Sequence, residues 1–576
     1  MRKQTPRHAG TLLLILSMAV LDNGAQARDS PRPYDIFQPV LADHGMVASA
    51  EARATRIGVE VLRGGGNAVD AAVAVGFALA VTLPQAGNLG GGGFMLVHLA
   101  KSGTTIALDY RETAPAAASR DMYLNAQGNV DQRKARFSYA SVGVPGTVAG
   151  LALAAKRYGT RPLAALIAPA LALARRGFEL SRPLAEALNK RRARLARHPA
   201  SARIFAKRDG TRYRTGERLV QRDLAWSLDQ IARHGARAFY DGAIAERIAA
   251  DMKAHDGPIT RADLRGYRAM VRVPVQGDYR GYRIESMPPP SSGGVHLIQI
   301  LNILEGYPIG FLGHNSADTV HLMAEAMKLA YADRSRHLGD PAFWRVPVAG
   351  LTSKAYAAEL RRGIDLDRAR PSSEIGPGDP LPYESNETTH FSIMDATGNA
   401  VANTYTLNFG FGTGIVAAGT GILLNNEMDD FSAKPGVPNA YGLIGGEANA
   451  VAPGKRPLSS MTPTLVLKDG RVVLATGSPG GSRIITTTAQ VIMNVIDHRM
   501  NIAAAVAAPR IHHQWLPDEL RVERGLSPDT LDLLSARGHH IVVKRPMGGA
   551  NSVQRTATGF AGTADPRSRG ALAEGY

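Results

Sequence analysis

Apolar positions recur at helical spacing on both sides of Gly64-Gly65-Gly66, so residues 49–83 predict two helices separated by a glycine break. Asn67 stands where the second helix, residues 68–82, needs an N-cap, and Pro84 lies just past its end. This second helix is apolar almost all round and belongs in the interior. Beyond Gly90-Gly91-Gly92-Gly93, residues 94–99 and 104–110 read as a hairpin around Lys101-Ser102-Gly103. Residues 147–255 carry mostly helical patterning. Pro288-Pro289-Pro290-Ser291-Ser292-Gly293-Gly294 then marks a rigid loop before a helix starting near Val295.

The texture changes in the last third. Residues 365–387 are polar and punctuated by Pro371, Pro377, Pro380 and Pro382, which predicts a surface loop. Residues 388–395 and 400–407 alternate as paired strands about Thr397-Gly398-Asn399, and residues 464–468 and 471–476 pair around Asp469-Gly470. A helix follows Gly480-Gly481 over residues 483–497. Helices, then strands, then helices suit sheets sandwiched between helical layers, an α+β class.

The N-terminus changes the picture of where the protein works. Arg2, Lys3, Arg7 and His8 precede an apolar run over residues 11–21, and Ala25-Gln26-Ala27 supplies small residues at the positions a signal peptidase reads. Residues 1–27 are therefore expected to be a signal peptide, with the mature protein periplasmic or secreted. The run is too short to remain as a membrane anchor. Cysteine is absent, which excludes disulfides, a thiol nucleophile and cysteine-built metal sites. The formal charge of +17 owes much to residues 190–218. No aromatic stacking ladder or nucleic-acid motif accompanies that stretch, so it reads as a solvated basic face and no nucleic-acid partner is expected.

Thr388 opens a predicted strand directly after the proline-rich loop. A threonine hydroxyl is a weak nucleophile without a neighbouring base, and one solution is to make that threonine the first residue of a chain, so that its own α-amine is the base. The Glu387-Thr388 bond must then be broken, by attack of the hydroxyl on the preceding carbonyl. Alone, Thr-Thr-His before a strand is weak, since β-branched residues are common there.

The surrounding motifs are specific. Gly65-Gly66-Asn67-Ala68-Val69-Asp70-Ala71-Ala72, Pro84-Gln85-Ala86-Gly87-Asn88-Leu89-Gly90, Asp109-Tyr110-Arg111-Glu112-Thr113-Ala114-Pro115 and Thr388-Thr389-His390 come first. Leu424-Asn425-Asn426-Glu427-Met428-Asp429-Asp430, Lys455-Arg456-Pro457-Leu458-Ser459-Ser460-Met461-Thr462-Pro463 and Gly477-Ser478-Pro479-Gly480-Gly481-Ser482-Arg483 follow in order. With the 288–294 loop, these runs resemble the γ-glutamyltranspeptidase family of N-terminal-nucleophile hydrolases.

That resemblance implies a four-layer αββα sandwich with two central, mainly antiparallel sheets. Residues 28–387 and 388–576 would be a large and a small catalytic subunit of one interlocked fold, a heterodimer of the chain's own cleavage products. Thr388 would be the nucleophile, oriented by Thr406, with the amides of Gly480 and Gly481 holding the oxyanion. Arg111, Ser459 and Ser460 would take the α-carboxylate of a γ-glutamyl group, and Asp430, Glu427 and Asn408 its ammonium. Tyr441 would belong to a lid over residues 435–446. Glutathione and related γ-glutamyl compounds would be donors, with water, amino acids or dipeptides as acceptors and no cofactor or metal. His390 and His512-His513 read as structural. Glu427, where bacterial members often carry Gln, and Phe409-Gly410, where small hydroxyl residues are frequent, depart from the family pattern. The rival readings are a cephalosporin or glutaryl acylase and a non-catalytic exported binding protein.

Overall fold

The computed structural model describes residues 35–380 and 392–576. The expected signal peptide, Glu387, Thr388 and His390 lie outside the described residues.

Two seven-stranded sheets form the centre, and every strand pairing within them is antiparallel. One runs Val40–Ala42, Phe560–Thr563, Ser552–Arg555, Arg471–Thr476, Thr464–Lys468, Tyr282–Ser286, Val275–Tyr279. The other runs Leu572–Gly575, Met46–Ser49, Ser392–Met394, Ala400–Thr406, Gly92–Leu99, Thr104–Tyr110, Met270–Arg272.

Alternation along each strand assigns its two faces. Phe94 and Leu96 join Met46, Ala402 and Leu465 in the apolar layer between the sheets. Met95 and Val97 point the other way, into a core shared with the helices Ala52–Arg63 and Ala68–Thr82. Val466 and Leu474 likewise face the helices Gly293–Glu305, Ala317–His337 and Arg483–Ile496. The result is the expected αββα sandwich, with both sheets buried on both faces. Among the described residues, no helix is long and apolar enough to cross a membrane.

The helix Ala68–Thr82 is wholly buried, as its composition requires. Its N-terminus is closed by a capping box, in which Asn67 accepts from the amides of Val69 and Asp70 while Asp70 accepts from the amide of Asn67. The Asp70 carboxylate also accepts from the Thr160 amide and hydroxyl and from the Arg161 amide. Asp395, just past the strand Ser392–Met394, accepts from the Ala68 amide at 2.9 Å and from the amides of Thr397 and Asn399. A single carboxylate thus shapes the hairpin turn and ties it to the buried helix.

The polar segment from residue 365 departs from expectation. Ala369, Ser372 and Ile375 are buried. Backbone carbonyls account for it: Trp515 donates to those of Ser372 and Ile375, and Lys328 donates to that of Arg370. Asp518 accepts from the Ser372 amide, and Asp333 accepts from the Gly378 amide. Proline and polar content marks irregular backbone, and irregular backbone can be buried when each polar group finds a partner.

Replacing Asp70 by Ala leaves buried amides without acceptors, and should lower the unfolding free energy by about 3 kcal/mol. Urea unfolding followed by circular dichroism measures this, and an unchanged midpoint would show that water takes over those donors.

Candidate active site

A cavity of about 260 Å³ opens where the strand Ala400–Thr406 ends and the loops bearing Glu427, Ser459 and Gly480 converge. Its lining includes Arg111, Thr406, Asn408, Glu427, Asp430, Tyr441, Ser459, Ser460, Gly480 and Gly481. Every site residue expected from the sequence within the described chain is therefore brought to one place.

Asparagines fix the walls. Asn88 accepts from the Gly91 amide and donates to the Thr406 carbonyl, holding the strand end against the glycine run. A Cβ on Gly91 would sit 2.0 Å from that same carbonyl, so the approach needs glycine. Asn425 accepts from the amides of Gly143 and Glu427 and donates to the carbonyls of Gly90 and Gly143. Asn408 has a left-handed backbone (φ 70°), and its side chain donates to the Asn426 carbonyl. Its own amide donates to the Thr406 hydroxyl at 2.8 Å.

Gly480 (φ 141°) and Gly481 (φ 61°) turn the chain from the strand Arg471–Thr476 into the helix Arg483–Ile496. Their amides donate to no acceptor among the described residues. Two such donors at a helix start favour an anion. The ring of Tyr441 lies directly on Gly481, where a Cβ would come within 2.5 Å of it, and its hydroxyl donates to the Asn408 carbonyl at 2.9 Å.

Charge is concentrated at Arg111, which is fully buried. Its guanidinium donates to Glu427, to Asp430 at 2.6 Å, and to the carbonyls of Pro457 and Leu458. Glu112 lies 3.8 Å away. Burial pushes Glu112 up to about 7 and Glu427 well above the usual carboxylate range, with Arg111 opposing both shifts. Arg111 and the carboxylates of Glu427 and Asp430, expected to hold opposite ends of one ligand, hold one another. Ser460 accepts from Arg334 at 3.1 Å, and Ser459 accepts from the Met461 amide.

The γ-glutamyltranspeptidase family model matches residues 54–575. The glutathione hydrolase proenzyme of Escherichia coli is 58% identical, with 94% of this chain and 93% of that protein covered. The chain belongs to the γ-glutamyltranspeptidase family. The solved γ-glutamyltranspeptidase of Helicobacter pylori is 47% identical at a TM-score of 0.57, with 60% of this chain covering 97% of that one. A cephalosporin acylase from Bacillus halodurans shares the fold at a TM-score of 0.84 and 31% identity, with 95% and 98% covered.

Within this family site, the sequence reading missed Arg334. It comes from the helix Ala317–His337, is buried, lines the cavity and donates to Ser292 as well as Ser460. Desolvation lowers it to about 10. It belongs to none of the quoted motifs; only its contact with the Ser291-Ser292 loop, a tertiary fact, reveals it. Asn88 and Asn425 lay inside quoted motifs but carried no assigned role.

His512 sits between Thr486 and Gln514, and His513 between the Trp515 amide and Asp518, both in structural positions. Elsewhere, His321, Glu325 and His539 converge to within 4.8 Å. His321 donates to the Asp365 carbonyl through Nε2, so its Nδ1 accepts from His539 at 2.8 Å. The Lys328 ammonium lies 2.7 Å from Glu325, where it supplies the positive charge.

A carboxyl whose folded value is raised favours the folded state fully below its unfolded value, and loses that contribution as pH rises through the folded one. For Glu112 the window runs from about 4.5 to about 7. Glu112→Gln, which cannot ionise, should remove on the order of 2–3 kcal/mol of pH dependence across that window. Urea midpoints of both proteins at pH 5 and pH 8 test this; identical pH slopes would show that Glu112 titrates normally.

Proposed function

We propose that the chain is an exported γ-glutamyl transferase and glutathione hydrolase whose nucleophile is Thr388, freed when the precursor cuts its own Glu387-Thr388 bond. The observation that carries this reading is the cavity itself, where a forked cation and a carboxylate stand 2.6 Å apart opposite two helix-start amides. A γ-glutamyl group presents an α-carboxylate and an α-ammonium at one end and an amide carbonyl at the other. The "proenzyme" in the name of the E. coli relative supports a precursor.

Maturation would proceed by attack of the Thr388 hydroxyl on the Glu387 carbonyl. The resulting ester is hydrolysed, leaving a carboxylate on Glu387 and a free α-amine on Thr388. The Thr406 hydroxyl, which accepts from the Asn408 amide in the cavity lining, would orient the nucleophile. The products, residues 28–387 and 388–576, stay together as a heterodimer. Removal of residues 1–27 on export fits a periplasmic or secreted enzyme.

Catalysis would be ping-pong. The donor's α-carboxylate goes to Arg111 with Ser459 and Ser460, and its ammonium to Asp430 with Glu427 and Asn408. The Thr388 hydroxyl gives its proton to its own α-amine and attacks the γ-carbonyl. The amides of Gly480 and Gly481 hold the oxyanion, an interaction worth ~3 kcal/mol per donor in such sites. Collapse passes the proton to the leaving nitrogen and releases cysteinylglycine from glutathione. Water or the amine of an amino acid or dipeptide then takes the γ-glutamyl group from the ester. Tyr441 closes the cavity over Gly481. The scheme calls on no metal or organic cofactor.

A second reading follows from the cephalosporin acylase likeness. A glutaryl group keeps the carboxylate but lacks the ammonium, which would leave Asp430 facing no cation of the substrate. Asp430→Asn should lower kcat/KM for a γ-glutamyl anilide about 100-fold, the scale of removing one partner of a buried charge pair. Wild-type protein should turn over the γ-glutamyl anilide far better than the glutaryl one. The reverse order establishes the acylase.

Denaturing gels test maturation. Purified protein should give bands of roughly 38 and 20 kDa, by each segment's share of residue number. Thr388→Ala should remain one inactive chain. An active single band would overturn the nucleophile.

A further inference from the structure

Arg194 is a half-buried cation that the reaction scheme leaves unused. It projects from the helix Arg182–Leu195, and its stem lies against Gly414, where a Cβ would come within 3.0 Å. Its guanidinium donates to the carbonyl of Gly410, a residue of the cavity lining, and lies 5.2 Å from the ring of Phe137. From there an aromatic rim continues, Phe137 to Phe409 at 5.8 Å and Phe409 to Tyr441 at 5.9 Å.

No carboxylate among the described residues pairs with Arg194, and its buried Nε has no hydrogen-bond partner among them. Burial lowers its pKa to about 10, and Arg191 and Arg197 act in the same direction. Most other part-buried arginines of this chain have an acid; Arg136, for example, holds Asp429. A desolvated cation with a free donor and only like charges beside it is costly unless an anion arrives.

The donor's geometry says which anion. With its amino-acid head at Arg111 and Asp430 and its γ-carbonyl at Gly480 and Gly481, the rest of the donor would lie toward Gly410, which lines the same cavity and holds Arg194 on its carbonyl. Cysteinylglycine and any dipeptide acceptor end in a carboxylate. A guanidinium edge matches that planar group.

We propose that Arg194, backed by Phe137 and Phe409, forms a subsite at the cavity mouth for the terminal carboxylate of the leaving group and of the acceptor. This rests on the γ-glutamyl-transfer reading above, and it deepens that reading by naming the acceptor class: peptides and amino acids with a free carboxylate, in preference to amides and simple amines. Phe409 lies between Phe137 and Tyr441 and makes the rim aromatic.

Transfer from γ-glutamyl p-nitroanilide to glycylglycine and to glycylglycinamide separates the possibilities. Wild-type protein should prefer the acid, with the preference residing in acceptor KM and shrinking as salt rises. Arg194→Gln should reduce the acid-to-amide ratio about tenfold, and Arg194→Lys, which keeps the charge but not the fork, should restore part of it. An unchanged ratio in Arg194→Gln overturns the subsite. So does the absence of an acid preference in wild-type protein at low salt, a result that needs no variant. Failure of wild-type protein to release nitroaniline would instead remove the underlying transfer reading, so the two failures are distinct.

Discussion

A fully buried guanidinium that cannot shed its charge dictates the rest of the site. Arg111 must be given partners, because an uncompensated cation in the interior costs several kcal/mol. The chain supplies carboxylates from Glu427 and Asp430 and carbonyls from Pro457 and Leu458, and both loops are drawn to one point by that requirement. Asn425 and Asn449 then hold those loops in place by satisfying their backbone groups. The network has more carboxyl groups than Arg111 alone can balance, so burial favours the protonated forms of Glu112 and Glu427.

On the proposed reading, this arrangement would suit a zwitterion better than an anion. A ligand carrying only a carboxylate must displace Asp430 from Arg111 and leave Asp430 unpaired. An amino-acid head can exchange partners, its carboxylate taking Arg111 while its ammonium takes Asp430, so each buried charge keeps a neighbour of opposite sign. Selectivity then lies in the cost of an orphaned charge rather than in the strength of any one contact. Arg334 extends the same logic, since its hydrogen bond to Ser460 places a second positive group beside the carboxylate side of the cavity.

Local patterning carried much of the fold. The capped buried helix, the three hairpins and the helix after Gly481 are legible because period, caps and turn residues agree there. The burial of Ala369, Ser372 and Ile375 was not legible, since it depends on Trp515, Lys328 and Asp518 far away in sequence. Site residues divide in the same way. Arg111, Glu427, Asp430, Ser459, Ser460 and the glycine pair sit in dense motifs that declare themselves. Arg334 and Arg194 are single cations on ordinary helices, and only the tertiary placement of those helices against Ser460 and Gly410 gives them meaning.

The sheets also bear on the proposed cut before Thr388. Each central sheet interleaves strands from both sides of that bond. Ser392–Met394 lies between Met46–Ser49 and Ala400–Thr406, Ala400–Thr406 pairs with Gly92–Leu99, and Thr464–Lys468 pairs with Tyr282–Ser286. Breaking one peptide bond leaves all of these ladders intact and both apolar layers closed. The first described strand after that bond, Ser392–Met394, lies in the middle of its sheet and is laddered on both sides. In a chain that has no cysteine to bridge its parts, these interleaved ladders would hold the two segments of the proposed heterodimer together.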